Sequence, residues 1–346
     1  MRDVDVLMTG PLFLDIVFTG LPTSPRPGIE VWADGMGTLP GGIANLAVST
    51  ARLGLRTQLA TVFGRDAYGT WCAEVLADEG IDLTPSRETD IHTNVTVSYA
   101  HAGDRTMITH GHPLPVSADE LLTQLPRARA VAMDLTAARA GEQWWRTAAN
   151  RGAKVFADIG YDPAETWDPA LLDPLEHCYA FAPNELEALA YTRTASVDEA
   201  LAALGERVPL AVVTRGEKGA LAVKNGTMSR VPALTANAID PTGAGDVFIS
   251  GLIAAELSGL ELADQLAFAT LCSSLAVRQF GGSLAAPGWG DIADWWTGTT
   301  RGGAKENRER YAFLEDLIPV DCCAQVRRAE ATIAAHSDLA NGTNPG

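Results

Sequence analysis

Short apolar, β-branched runs alternate along this chain with longer segments whose apolar residues recur every three or four positions. Residues 4–9, 57–63, 130–135, 154–159, 178–182 and 210–214 read as strands, and residues 44–53, 70–79, 118–125, 143–150, 185–191 and 197–205 as the helices between them. Strand and helix in alternation imply a mostly parallel sheet with helices on both faces, a three-layer α/β architecture. Ligands of such sheets sit beyond the carboxyl ends of the strands. Two segments break the rhythm. Residues 11–40 are rich in Gly and Pro with short extended pieces, and residues 91–112 open on Ile91-His92-Thr93-Asn94-Val95-Thr96-Val97-Ser98-Tyr99, which alternates like a half-exposed antiparallel strand. Together they predict a small β lid.

Composition narrows the classes of function. The 346 residues suffice for one large or two moderate domains, and 47% apolar with 20% charged residues is ordinary globular usage. Asp and Glu number 43 against 26 Lys and Arg, a formal charge of −17 that repels nucleic acid and anionic lipid. No apolar run approaches the roughly 20 residues a membrane span needs. Met1-Arg2-Asp3-Val4-Asp5 shows no basic stretch leading into a long apolar run, so a cytoplasmic location is expected. Five cysteines (Cys72, Cys178, Cys272, Cys322, Cys323) without a C-x-x-C pair read as reduced thiols. His92, His101, His110 and His112 crowd into the lid with no carboxylate or Cys at ligand spacing, which favours lid contacts over a metal site. The pairs Trp144-Trp145 and Trp295-Trp296 read as packing residues. Residues 297–303 are expected as a linker between a domain over 1–296 and an extension over 297–346. The extension's apolar stripe over residues 311–318 predicts docking, on its own domain or on a second subunit.

The sharpest local signal is Asp240-Pro241-Thr242-Gly243-Ala244-Gly245-Asp246, directly before the helical run that starts at Val247. Small residues let the backbone approach a ligand, and the first turn of the helix offers N–H groups at the positive end of its dipole, an anion cradle. A carboxylate in that cradle repels a phosphate unless its task is to take a proton from an attacking hydroxyl; a plain N-cap role for Asp246 is the alternative.

This heptad resembles the second signature of the PfkB-type carbohydrate kinases, the ribokinase-like family. Three further motifs in the same order extend the resemblance over residues 4–296. Pro40-Gly41-Gly42-Ile43-Ala44-Asn45-Leu46-Ala47, with Leu53-Gly54 and Gly64-Arg65-Asp66-Ala67-Tyr68-Gly69, resembles the first signature. Pro183-Asn184-Glu185-Leu186-Glu187 resembles the Asn-x-x-Glu motif, and Thr214-Arg215-Gly216-Glu217-Lys218-Gly219-Ala220 the nucleotide-binding turn.

The resemblance implies a ribokinase-like αβα fold and transfer of the γ-phosphoryl group of ATP to a hydroxymethyl group. It implies Asp246 as the catalytic base and the backbone of Gly243, Ala244 and Gly245 as the anion hole. Asp15, Gly41, Gly42 and Asn45 would hold the acceptor, with Asp15 accepting two hydrogen bonds from a diol; local capping by Asp15 and by Asn45 is the alternative. Asn184 and Glu187 would approach Mg²⁺ on the triphosphate through water, or form an ordinary cap pair. Thr214, Gly216 and Gly219 would contact the nucleotide, and Asp240 and Thr242 match positions near a monovalent-cation (K⁺) site. Arg105 would either reach over the substrate or pair within the lid. Pro40 stands where the family has Gly, and Asp158-Ile159-Gly160-Tyr161-Asp162 lacks the amide and Arg of an Asp-x-Asn-x-Arg pattern, which favours a neutral sugar or polyol over an acidic or phosphorylated one. A nucleoside kinase, with Phe13, Trp32 and Tyr99 as a base slot, is the nearest rival. A non-catalytic sugar sensor and a dinucleotide oxidoreductase are weaker, the latter because no Gly-x-Gly-x-x-Gly follows the first strand. Homodimerisation through the lid is a family habit.

Overall fold

The computed structural model describes residues 3–320 except 102, 103, 161, 163 and 237, and omits the side chains of 100, 101, 104, 105 and 137. The strands in chain order are β1 (Val4–Thr9), β2 (Leu12–Thr19), β3 (Gly35–Gly42), β4 (Thr57–Ala60), β5 (Val62–Gly64), β6 (Arg87–Thr89), β7 (Asn94–His101), β8 (Asp104–His110), β9 (Ala128–Asp134), β10 (Lys154–Asp158), β11 (Ala180–Phe181), β12 (Leu210–Thr214), β13 (Ala220–Lys224) and β14 (Thr227–Val231). Eight of them form the central sheet, in the order β14-β13-β12-β11-β10-β9-β1-β4. From β12 to β4 all neighbours are parallel; β13 and β14 close the edge as an antiparallel hairpin.

Each parallel strand is buried on both faces, and the alternation of its side chains divides the core in two. Val6 and Met8 of β1, with Ala130, Ala132 and Phe156, pack against the helices Ile43–Arg52, Ala244–Leu257 and Leu262–Ala276. Leu7, Val131 and Val155 face the other way, onto Trp144, Trp145 and the helix Val197–Gly205. Helix Ala244–Leu257 lies so close to its neighbour that a Cβ on Gly251 would come 2.8 Å from the Cα of Ala269. No described helix is long and apolar enough to cross a membrane.

The lid forms as expected. β3-β2-β7-β8 make a second, four-stranded sheet in which β2 pairs antiparallel with β3 and parallel with β7. Its root is tied to the body by Asp66, whose carboxylate caps the helix Ala67–Asp78 through the amide of Gly69 (2.8 Å) and accepts the amide and hydroxyl of Thr93 (2.7 and 3.0 Å). His110 and His112 stack edge to face at 5.3 Å, and the described residues contain no cluster of three or more metal-ligating side chains.

The expected linker is corrected. Residues 297–302 complete the helix Trp289–Gly302, because its buried face carries Ile292, Trp296 and Thr299 through the Thr- and Gly-rich stretch. The chain beyond it turns back on its own domain: Tyr311 and Leu314 are fully buried in the larger core, with Trp295 edge-on to Tyr311 at 4.9 Å. Residues 321–346, with Cys322 and Cys323, lie outside the described part. Cys72, Cys178 and Cys272 are free buried thiols whose pKa values burial pushes up.

Candidate active site

The carboxyl ends of the parallel strands deliver a ring of oxygen-bearing residues. Asp134 and Asp158 end β9 and β10 and face each other in register. Each accepts a local amide: Asp134 from Thr136 (2.6 Å), Asp158 from Ile159 (2.9 Å). Burial, then the negative charge of Asp246, followed by Asp134 and Glu187, hold the pKa of Asp158 well above its ordinary value. Asp158 therefore binds its proton more tightly folded than unfolded. Its ionisation draws down stability as pH rises from near 4 towards the raised native pKa. Asp158→Asn keeps the amide-accepting oxygen and removes the charge. It is expected to stabilise the chain at neutral pH, with the pH slope gone, as urea unfolding at several pH values would read.

Asn184 follows β11 and caps the helix Glu185–Thr192. Its Oδ1 accepts the amide of Glu187, and the Glu187 carboxylate accepts the amide of Asn184, both at 2.9 Å. The motif is thus a capping box, with Asn184 Oδ1 committed to it. Glu187 is 8% exposed, and burial pushes its pKa up against the bonds from Asn184.

Asp240 to Asp246 wraps into the start of helix Ala244–Leu257. Gly243 is the N-cap at φ +73°, and a Cβ there would stand 3.0 Å from Gly282 Cα and 3.3 Å from Asn45 Cγ, so both backbone shape and space demand glycine. The amides of Gly243 and Gly245 make no hydrogen bond with any described residue. That of Ala244 donates to Pro241 O at 3.2 Å, so the expected three-amide anion hole reduces to two open N–H groups. Asp246 is half-buried in the first turn and accepts a hydrogen bond from Asn45 Nδ2 on Oδ2 (3.0 Å). Asp240 uses its two carboxylate oxygens on the amides of Thr242 (2.9 Å) and Gly281 (3.0 Å), which locks the cradle to the loop beyond helix Leu262–Ala276.

On the lid side Gly42, at φ +62°, turns β3 into the helix Ile43–Arg52 that carries Asn45. Asp15 is 8% exposed in β2, with its carboxylate directly over Gly41: a Cβ on Gly41 would fall 2.0 Å from Asp15 Oδ2. Asn45 is 7% exposed, and its Oδ1 has no hydrogen-bond partner, an unused acceptor beside the bond to Asp246. Arg105 pairs with Ala100 on the lid, and its side chain lies outside the described part. Asp162 is not a pocket group. Its carboxylate accepts from the amides of Ala164, Thr166 and Trp167 and from the Thr166 hydroxyl, bonds that bring its pKa to about 2.

On the other side of the cradle a cleft of about 130 Å³ brings Thr214, Gly216 and Gly219 together with Ala244 and Gly245. Sequence reading missed its remaining wall: Ala233, Phe248, Thr270, Ser273 and Ser274. Thr270 Oγ1 is buried there without a hydrogen-bond partner, while Ser273 Oγ donates to Ala244 O (3.0 Å). The hydroxyls at 270, 273 and 274 share one face of helix Leu262–Ala276, three and four positions apart, a pattern masked by the apolar residues buried around the rest of the helix. Asp246 stands at the junction of this cleft with the Asp15–Asn45 side.

The sequence matches the family described as pfkB family carbohydrate kinase over residues 27–288. It is 26% identical over 291 residues to the ribokinase of Bacillus subtilis, covering 83% of this chain and 97% of that one. It is 30% identical over 289 residues to the fructokinase of Klebsiella pneumoniae, covering 75% and 93%. Among solved structures, Arabidopsis thaliana ribokinase complexed with ribose and ATP superposes with a TM-score of 0.70 at 25% identity, covering 85% of this chain and 98% of that one. An Escherichia coli protein described as a ribokinase II, in complex with ATP and Mg²⁺, gives 0.74 at 21% identity, covering 86% and 100%. With the family match spanning most of the chain, this protein belongs to the pfkB family of carbohydrate kinases.

Proposed function

We propose that this kinase transfers the γ-phosphoryl group of ATP to a hydroxymethyl group of a neutral sugar or related polyol, with Asp246 as the base. The observation that carries the reading is the position of Asp246: in the first turn of helix Ala244–Leu257, beside the open amides of Gly243 and Gly245, and aligned by Asn45. A hydroxyl presented from the Asp15 side meets a carboxylate that can take its proton, while the two amides and the helix dipole face charge growing on the phosphoryl oxygens. Asp15 and the unused Oδ1 of Asn45 would hold neighbouring hydroxyls and fix the attacking oxygen. The carboxylate of Asp15 over Gly41 disfavours an anionic acceptor.

ATP would lie in the cleft bounded by Thr214, Gly216, Gly219 and Gly245, with the buried Thr270 hydroxyl and Ser274 as polar contacts. The donors near Asp246 are hard carboxylate oxygens, the chemistry Mg²⁺ prefers, and they do not form a closed protein cage. Glu187 would therefore hold Mg²⁺ through water while the triphosphate supplies direct ligands; the ion neutralises phosphate charge when bound. Asp240 retains a lone pair on each oxygen beside Thr242, so K⁺ at this loop would meet a carboxylate already held in place.

ADP release from MgATP against neutral sugars, polyols, nucleosides, sugar acids and sugar phosphates tests the reading. A neutral sugar or polyol as the strongest acceptor is expected; preference for a nucleoside or a phosphorylated sugar overturns the substrate class. Gly41→Ala would push Asp15 aside, since its Cβ cannot share that space. It is expected to raise the acceptor KM by about tenfold or more and leave the KM for ATP unchanged, as initial rates with each substrate varied would check.

A further inference from the structure

At the opposite end of the sheet, where β1, β9 and β10 begin, lies a cavity of about 540 Å³ lined by Arg56, Arg127, Arg129, Arg151 and Lys154. Five of the chain's 26 Lys and Arg residues thus converge on one concavity of a protein whose formal charge is −17. The carboxylates facing them are Asp3 and Glu256 in the lining and Asp5 behind it. Glu256 is shared by Lys154 and Lys224 and accepts Gln265 Nε2 at 2.8 Å. Asp5 holds Arg56 through Nε (3.0 Å) and Nη2 (3.2 Å), and Arg129 through Nη1 (3.3 Å).

These bonds anchor the guanidinium groups without exhausting them. Arg129 Nη2 donates to Leu257 O (2.6 Å) and Arg151 Nη1 to Leu125 O (2.9 Å), yet each Arg has five donors. The side chains of Arg56 and Arg129 remain 62% and 52% exposed. Arg127 makes no side-chain hydrogen bond or ion pair with any described residue. A set of pre-positioned forks with spare donors suits phosphate oxygens, which Arg binds two at a time. Helix Ala244–Leu257 runs about 17 Å from Leu257 at this cavity to Asp246 near its other end, so the basin is separate from the catalytic cradle.

We propose that this basin is a second ligand site that binds a small anion carrying two phosphoryl groups, either inorganic or esterified to a metabolite. Nothing in it depends on which acceptor the kinase uses. The test is titration calorimetry of the full chain at physiological salt with inorganic pyrophosphate in one arm and a hexose bisphosphate in the other. Hydrogen exchange would locate the binding. Saturable binding of either probe is expected, with protection of amides at residues 127–130 and 151–154. Arg127→Glu combined with Arg151→Glu should weaken it at least about tenfold while acceptor-dependent ADP release in the absence of probe stays unchanged. Arg127→Gln, at an exposed side chain with no partner to lose, should weaken it severalfold without lowering the unfolding temperature. The tighter probe identifies the source of the phosphates. No saturable binding, protection confined to the cleft at Gly216 and Gly245, or affinity indifferent to both variants would overturn the proposal.

Discussion

Asp246→Asn is expected to lower turnover by about 10³-fold, within the range that a positioned general base contributes. Asparagine matches aspartate in shape, and its carbonyl oxygen can still accept from Asn45 Nδ2, so the first turn of helix Ala244–Leu257 and the Gly243–Gly245 backbone keep their geometry. What is lost is the capacity to take a proton. With ATP in the cleft on the far side of the cradle, as proposed, its affinity should change by less than about threefold. Loss of kcat with an unchanged dissociation constant for ATP is therefore the expected pair of results. More than about a tenth of the parental kcat would place the base elsewhere.

Arg52→Ala should be the most damaging change to stability. The guanidinium holds Glu79 through Nε and Nη2, both at 2.8 Å, and the carbonyls of Leu284 (3.1 Å) and Ala286 (2.7 Å); the two charged side chains are only 5% and 8% exposed. Truncation strands a buried carboxylate and leaves two carbonyls short of a donor, a loss of about 3–5 kcal/mol by comparison with other broken buried pairs. The unfolding midpoint would fall by roughly 4–7 °C. Replacing both partners with apolar residues, Arg52→Met with Glu79→Leu, should recover much of the stability, because no charge is then stranded. Activity should not recover with it. Arg52 fixes the loop whose Gly281 amide holds Asp240, and whose Gly282 packs on Asn45 and Gly243. Thermal unfolding and kcat/KM on the same samples would separate the two effects, and equal recovery of both would show that the loop needs no such anchor.

Strands β1 and β12 were legible to the residue because buried parallel strands are continuous apolar runs, and the lid because β7 alternates. Gly42 and Gly243 were legible for a stronger reason, since each turn adopts a backbone conformation that side chains oppose. Other features required the fold. Asp162 reads in sequence as an acid beside the substrate, yet four bonds within its own turn consume it. Asn184 and Glu187 show a reciprocal cap, which their spacing permits as readily as a metal contact. The hairpin of β13 and β14, which turns at Asn225-Gly226, carries a β14 that is mostly exposed and polar, so no apolar run marks it. Residues 297–302, loop-like in composition, remain helical because Trp296 and Thr299 are buried there. The amphipathic pattern over helix Leu262–Ala276 is nearly erased because it is buried on almost every side, which hid the hydroxyl face that lines the cleft. The Arg52 network joins residues far apart in the chain, and no local pattern announces such a link.

If Asp246 directs a phosphoryl group from ATP onto a primary alcohol, the product is a phosphate ester of one methylene carbon. Phosphorus-31 NMR of the product formed from the best acceptor, without proton decoupling, tests it most directly. A phosphate monoester signal split into a triplet by the two protons of one methylene, formed by the parental chain and absent with Asp246→Asn, is the predicted result. A doublet from a secondary alcohol, inorganic phosphate alone, or the same triplet from Asp246→Asn at the parental rate would contradict it.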